Sequence, residues 1–422
     1  MRLSDLSPVP LPTAELPEEV LIGPGVRANT AAVVSRWIEG IPLVVADPQT
    51  IAAFGEPDWP HRLLLLPEHP HADDATVAQV VTALDDSPGI VSIGSGTIND
   101  LGKRAAALAG RPYVTVGTAA SMNGYASGIA AILSDGLKTT VASRPPWAII
   151  LDTEILAAAP AALTQAGLGD LLSKPVSDTD WWLANQLEGS GYSTLPGSIV
   201  DHAVAEAAAA AAGLKARVPA AHGALGKALV LSGVAMVVAG SSSPASGGEH
   251  LLSHLWDMEN LVAGRETRLH GAQVGVTSCI TAALYQRLLR LENPVFTEPP
   301  PWAEEADRIA AEHGVLAEVI APQAQRKHAR AAARVATLRA RWSEIRAGMQ
   351  ARQLPTPDAL RAILSAAGAP STLAELGVDR TDAARVFRLA RDIRDRVTVL
   401  DVGFELGVLP NEVDALLDAA GV

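Results

Sequence analysis

Ile90-Val91-Ser92-Ile93-Gly94-Ser95-Gly96-Thr97-Ile98-Asn99-Asp100 reads as a buried strand, a glycine turn and the opening of a helix. The apolar run Ile90 to Ile93 is short and β-branched, which suits a strand with both faces covered. Gly94 and Gly96 allow a tight turn, and a helical pattern runs from Asn99 to Leu108. The same alternation recurs on either side. Leu43 to Ala46, Leu63 to Leu66, Tyr113 to Val116 and Ala148 to Leu151 read as further buried strands, and Ala31 to Trp37 and Ala75 to Leu84 as helices among them. Strands joined by helical crossovers pair in parallel. Residues 1–158 are therefore expected to form an α/β domain with a parallel sheet.

Beyond Pro160 the strand pattern stops. Ala161 to Ala166, Leu168 to Glu188, Ile199 to Ala212, Ala220 to Ala239 and Glu249 to Leu261 read as helices, with Pro175 kinking or dividing the second. Several are apolar on every side and so expected to be buried. Residues 159–422 are thus expected to be all-α, with an extra helical tail from about residue 294, after the Pro-rich stretch Asn293 to Trp302. In that tail Ala324 to Arg346 reads as a solvated amphipathic helix, and Leu354 to Pro357 makes another break.

Composition narrows the function. A chain of 422 residues has room for two cores, and 48% hydrophobic content suits an enzyme of helices and buried strands. A net charge of −13 argues against a nucleic-acid partner. The single cysteine, Cys279, leaves no internal disulfide and fits a reducing compartment. The most apolar run, Ala228 to Ala239, is shorter than the roughly 20 residues a bilayer needs. The N-terminus also lacks a basic-then-apolar leader, so a cytoplasmic protein with no membrane span is expected.

The candidate chemistry lies in a few short segments, each with two readings. Gly94-Ser95-Gly96 either lets a pyrophosphate approach a helix N-terminus or merely makes a tight connection. Asp47, closing the strand Leu43 to Ala46, either holds ribose hydroxyls, which favours NAD over NADP, or caps a helix. The loop from Val116 to Ser127 follows a buried strand; its hydroxyls and amides suit a nicotinamide ribose or polyol, or a plain surface turn. In Gly167-Leu168-Gly169-Asp170-Leu171-Leu172-Ser173-Lys174, Asp170 is a cap or a ligand, and Lys174 lies one turn on. In Gly247-Gly248-Glu249-His250-Leu251-Leu252-Ser253-His254, two imidazoles share a helix face, and His270 follows. These histidines either bind a metal or pack in a core.

Taken in order, Gly94 to Asp100, Thr118 to Ser127, Gly167 to Lys174, Gly248 to His254 and His270-Gly271-Ala272-Gln273-Val274-Gly275-Val276 resemble the sn-glycerol-1-phosphate dehydrogenases. These belong to the iron-containing alcohol dehydrogenase and dehydroquinate synthase superfamily. The resemblance spans roughly Val20 to Leu291; the tail carries no such signature. It implies a dehydroquinate synthase-like fold: a dinucleotide-binding α/β domain, then a helical metal-binding domain, with a catalytic divalent metal in the cleft between them. It implies Asp170, His250 and His270 as metal ligands, and His254 as a proton relay near the nicotinamide and substrate. Gly94, Ser95, Gly96 and Asp100 then belong to the cofactor loop, with Asp47, Thr118 and Ser121 also on the dinucleotide. Lys174 replaces a further histidine of many relatives and suits a phosphoryl group or a substrate oxygen. Asn123, where the family often has aspartate, would contact substrate with Ser127 and Lys174.

The reaction so implied is reversible reduction of dihydroxyacetone phosphate to sn-glycerol 1-phosphate with NAD or NADP as cofactor and one zinc, nickel or iron ion. The metal would chelate the free hydroxyl and the ketone oxygen and act as a Lewis acid. A small-molecule substrate and a homo-oligomer are expected. The alternatives are a dehydrogenase of an unphosphorylated polyol such as glycerol, a dehydroquinate synthase-like cyclase, and a catalytically idle dinucleotide-binding protein.

Overall fold

The computed structural model describes residues 2–134 and 137–422. Its strands are β1 (Glu19–Gly23), β2 (Leu43–Ala46), β3 (Arg62–Leu65), β4 (Ile90–Gly94), β5 (Tyr113–Gly117), β6 (Ile129–Ser134), β7 (Leu137–Ala142) and β8 (Ala148–Asp152). Among the described residues, six of these form one parallel sheet in the order β1-β8-β5-β4-β2-β3, and β6 and β7 make an antiparallel hairpin. The crossovers carry α1 (Thr30–Trp37), α2 (Pro48–Phe54), α3 (Asp74–Leu84) and α4 (Gly96–Ala109), and α5 (Thr153–Ala158) follows β8. The pleat sends alternate side chains to opposite cores. Leu43, Val45 and Ile90 pack with α3 and α4, whereas Val44, Ala46 and Val91 pack with α1 and α2. From the adjacent strands β2 and β4 the chain leaves in opposite directions, to β3 and to β5. Such a reversal opens a ligand crevice beyond the strands' C-terminal ends.

Two strands differ from the sequence reading. β3 is an edge strand with β2 as its one neighbour, so Leu63 and Leu65 are 47% and 48% exposed rather than buried. β1 escapes the pattern because its apolar residues, Val20 to Ile22, adjoin Glu18 and Glu19; it becomes a strand by pairing along β8.

The next helices are α6 (Ala161–Leu172), α7 (Lys174–Glu188), α8 (Leu195–Ala209), α9 (Ala211–Lys215), α10 (Pro219–Ala239), α11 (Gly248–Val262) and α12 (His270–Leu289). Pro175 does divide the segment: α6 ends two residues before Lys174, and α7 begins with proline in its first turn, where a missing N–H costs nothing. The apolar run Ala228 to Ala239 proves to be the end of the longer α10. At 21 residues this helix is long and apolar enough to cross a membrane, yet 72% of its apolar window is buried, with α8 against its side.

The tail consists of α13 (Trp302–His313), α14 (Ala317–His328), α15 (Ala331–Ala351), α16 (Pro357–Ala367), α17 (Leu373–Leu376), α18 (Arg380–Leu389), α19 (Val399–Glu405) and α20 (Val413–Ala420). The stretch 324–346 is therefore two helices, and its basic face is not simply solvated. Lys327 and Arg334 are buried, Lys327 Nζ 2.7 Å from Asp401 and Arg334 bridging Glu188 and Glu405 at 2.6 and 2.5 Å. A planar guanidinium fork tolerates burial when both its edges meet carboxylates.

The chain divides into two compact units. One holds Met1–Leu171, Thr194–Ser241 and Ala366–Gly368; the other holds Leu172–Ser193, Ser242–Ser365 and Ala369–Val422. Helices α8 to α10 thus belong with the sheet.

Candidate functional site

The start of α11 is fixed by one buried carboxylate. Asp180 of α7 accepts from Gly248 N–H at 2.6 Å on Oδ2, and from Val399 N–H at 2.8 Å and the Tyr285 hydroxyl at 2.5 Å on Oδ1. One side chain thereby ties α7, α11, α12 and α19 together. Burial and the adjacent Glu249 carboxylate push its pKa up, and its three donors oppose them. With α11 held in this rotation, His250 and His254 share a face, and His270 opens α12 beside them. The ring centroids lie 5.9 Å (His250–His254), 5.1 Å (His250–His270) and 5.3 Å (His254–His270) apart. Asp170 lies in the last turn of α6. One potential ligand atom from each of Asp170, His250 and His270 falls within a set mutually separated by no more than 4.8 Å.

Two of these imidazoles are oriented from behind. Glu249 is fully buried, and its Oε1 meets His250 Nδ1 at 2.7 Å while also accepting from Gly247 N–H. An ionised carboxylate can only accept, so Nδ1 carries the proton and the Nε2 lone pair is presented. Ser253 Oγ lies 3.1 Å from His270 Nδ1 and steadies that ring's orientation, but a hydroxyl donates as well as accepts and so leaves the tautomer open. One carboxylate and two imidazoles are a donor set that fits a first-row divalent ion. Glu249→Gln is expected to weaken metal affinity by about tenfold to a hundredfold, since a neutral amide is a poorer partner for the ligating imidazole. Competitive metal titration checks this, and unchanged affinity would show that Glu249 does not support the ligand.

The glycine turn is built as the sequence suggests. At Gly94 an added Cβ would stand 2.4 Å from Ile98 Cβ, so α4 starts directly off β4 only with glycine there. Ser95 makes no side-chain cap bond among the described residues, which leaves the first N–H groups of α4 turned to an uncapped, partly exposed end. That opening suits a pyrophosphate. The loop after β5 lies alongside: Gly117 pairs with Gly94 in the sheet, Thr118 N–H donates to Gly94 O at 3.1 Å, and the Tyr125 hydroxyl donates to Ala119 O at 2.8 Å. Helix α6 presses on the same loop, since a Cβ on Gly167 would fall 1.9 Å from Ala120 O. Gly167 thus seats the helix that carries Asp170 against the loop holding Thr118 and Ser121.

Other singled-out residues have internal partners. Asp47 caps α2, its Oδ1 accepting from Gln49 and Thr50 N–H at 2.8 Å each. Asp100 accepts from Ala131 N–H at 3.0 Å and from Asn99 Nδ2 at 3.0 Å, bracing β6. Ser127 is 1% exposed, with its hydroxyl 3.1 Å from both Gly124 O and Ile129 O; it shapes the loop from within rather than facing a substrate. Asn123 Nδ2 reaches Ser232 Oγ of α10 at 3.4 Å. Lys174 is buried, with Nζ 3.1 Å from Ala245 O. Sequence reasoning missed Glu249, Asp180 and Lys103. For Glu249 a signal was present, an acid beside a histidine within a run of buried residues.

Comparison with known proteins bears on the family and the fold. Residues 60–160 match the family described as iron-containing alcohol dehydrogenase. The chain is 32% identical over 399 residues to the glycerol-1-phosphate dehydrogenase (NAD(P)+) of Haloarcula marismortui, covering 92% of this chain and 93% of that one. It is 29% identical over 412 residues to the enzyme of the same name from Bacillus velezensis, covering 91% and 90%. Among solved structures, a probable glycerol dehydrogenase from Sinorhizobium meliloti superposes with a TM-score of 0.65 at 18% identity, covering 96% of this chain and 98% of that one. The glycerol dehydrogenase of Schizosaccharomyces pombe gives 0.61 at 15% identity, covering 98% and 92%. These two share its fold.

Proposed function

The chain belongs to the glycerol-1-phosphate dehydrogenase family, and on that premise we propose that it reduces dihydroxyacetone phosphate reversibly to sn-glycerol 1-phosphate with NADH or NADPH and one divalent metal. The observation that carries the reading is the convergence of Asp170, His250 and His270, with His254 beside them. Asp170, His250 and His270 would hold the metal, which would supply Lewis acidity at the substrate carbonyl. Glu249 fixes the face that His250 offers. Gly94, Ser95 and Gly96 would admit the pyrophosphate to the N-terminus of α4, and Thr118 and Ser121 would border the nicotinamide. His254 would deliver a proton to the carbonyl oxygen of the substrate. Asn123 contacts a substrate hydroxyl. By role, residues 1–158 serve the dinucleotide and 159–422 the metal and substrate, in a cytoplasmic homo-oligomer.

The test is a substrate comparison on metal-reconstituted protein. NADH and NADPH oxidation is followed with dihydroxyacetone phosphate and with dihydroxyacetone, and the product's configuration is assigned with an enzyme specific for sn-glycerol 3-phosphate. Turnover of the phosphate, with a product that this enzyme does not oxidise, is expected. Turnover of dihydroxyacetone alone would mean a polyol dehydrogenase. Dinucleotide bound but not consumed would point to the cyclase class.

A further inference from the structure

Apart from the metal cluster, polar side chains converge on the short segment before α11. Lys174 Nζ donates to Ala245 O at 3.1 Å and to Ser173 Oγ at 3.3 Å, and Ser177 Oγ donates to Pro244 O at 3.2 Å. On the next residue, Arg396 donates from Nη2 to Ser246 Oγ at 2.6 Å. Arg396 comes from the tail, between α18 and α19, which carries none of the motifs that show the resemblance in the sequence. Its Nε is shielded from solvent and has no hydrogen-bond partner among the described residues.

A buried guanidinium edge without an acceptor is costly, and nearby acids do not supply one. Glu249, Asp180 and Asp395 are the carboxylates that act on Arg396, and Arg394 is the neighbouring cation. None of these carboxylates forms an ion pair with Arg396 among the described residues. Asp180 already accepts three donors, and Glu249 Oε1 is engaged by Gly247 and His250. Burial pulls the Arg396 pKa down to about 10 in spite of these acids. The guanidinium is therefore under-compensated, at adjacent residues to the contact made by a buried ammonium.

We propose that Arg396, together with Lys174, forms the subsite that takes the phosphoryl group of the substrate. A phosphoryl oxygen supplies the acceptor that Nε lacks, and a second oxygen suits the fork of Nε and Nη2. Lys174 contributes a point charge at the neighbouring residue, Ala245. An unphosphorylated polyol offers neither edge an anion. The subsite makes the tail part of substrate recognition, and it rests on the dehydrogenase reading given above.

The experiment compares kcat/KM for dihydroxyacetone phosphate and for dihydroxyacetone in wild type, Arg396→Met and Arg396→Lys. Loss of a charge-assisted, bidentate contact is expected to lower the phosphate-to-polyol ratio by about tenfold to a hundredfold in Arg396→Met, through KM more than kcat. Arg396→Lys keeps the charge without the fork and is expected to lose several-fold, so it carries the test where the methionine variant fails to fold. A wild-type ratio in folded variants would overturn the subsite and leave Arg396 as a counter-charge for Glu249 and Asp180. A wild type that turns over dihydroxyacetone but not its phosphate would overturn the glycerol-phosphate reading and the subsite with it.

Discussion

His250→Ala is expected to yield folded protein that holds no stoichiometric metal and has lost essentially all turnover. The substitution removes one donor of three from the Asp170, His250 and His270 set. It also strips the buried Glu249 Oε1 of the imidazole it orients. Lewis-acid stabilisation of developing charge is worth several kcal/mol, so its loss lowers kcat/KM by roughly a thousandfold or more. Asp170→Asn and His270→Ala are expected to behave alike. His254→Ala is the informative contrast. Its ring lies 5.9 Å from His250 and 5.3 Å from His270, close enough to share the site but assigned to proton delivery. That variant is expected to keep its metal and lose about a hundredfold in kcat, the usual scale for a general acid. Elemental analysis beside steady-state rates separates the cases. Metal retained in His250→Ala, or lost in His254→Ala, would mean that the two histidines exchange roles.

What could be read from the sequence follows from which interactions are local. Ile90 to Ile93, Tyr113 to Val116 and Ala148 to Leu151 lie in central strands, where burial on both faces writes itself as a continuous apolar run. At the edges that signature fails in both directions: Leu63 and Leu65 look buried and are not, and β1, whose short apolar run adjoins two glutamates, is a strand that the pattern passes over. The histidines were legible because a spacing of four on a helix brings them to one face. Asp170 alone is ambiguous, and only its place in an ordered set of motifs points to a ligand.

Side chains whose partners lie far along the chain left no local mark. The Arg-rich stretch 324–346 reads as a solvated face because its partners are Glu188, 146 residues before Arg334, and Glu405, 71 after it. Asp180 looks like one acid of a polar helix turn, and its role appears only when Gly248, Tyr285 and Val399 close around it. Lys103 is harder still, because its acceptors are mostly main-chain carbonyls, which carry no residue identity.

Lys103→Met is expected to cost stability and substrate affinity together. Lys103 is 1% exposed. Its Nζ donates to Gly124 O, to Ser127 O and Ile129 O at 3.1 Å, and to Ser127 Oγ at 3.3 Å. Methionine keeps the length of the side chain and removes every donor. Ser127 Oγ still reaches Gly124 O and Ile129 O, so the carbonyls are not wholly abandoned. The variant also escapes the cost of burying a charge, and a net loss of about 1–3 kcal/mol results. The pH dependence identifies the cause. Burial pulls the Lys103 pKa down to about 8, with the Asp100 carboxylate opposing, whereas an unfolded lysine titrates near about 10.4. Between these values the unfolded chain binds more protons than the folded one, so wild-type stability gains a rising contribution from roughly pH 8 to 10.5. Below that window the burial cost is fully present; above it, the cost is gone. Lys103→Met lacks this rise, so its deficit against wild type should widen with pH across the window. The same substitution loosens the loop that carries Asn123, and KM for the ketone is expected to rise about tenfold while metal content holds, as for a lost substrate hydrogen bond. Denaturant unfolding at pH 7 and pH 9.5, with KM measured at pH 7, tests both effects. A variant matching wild type in both would mean that the loop holds its shape without the ammonium.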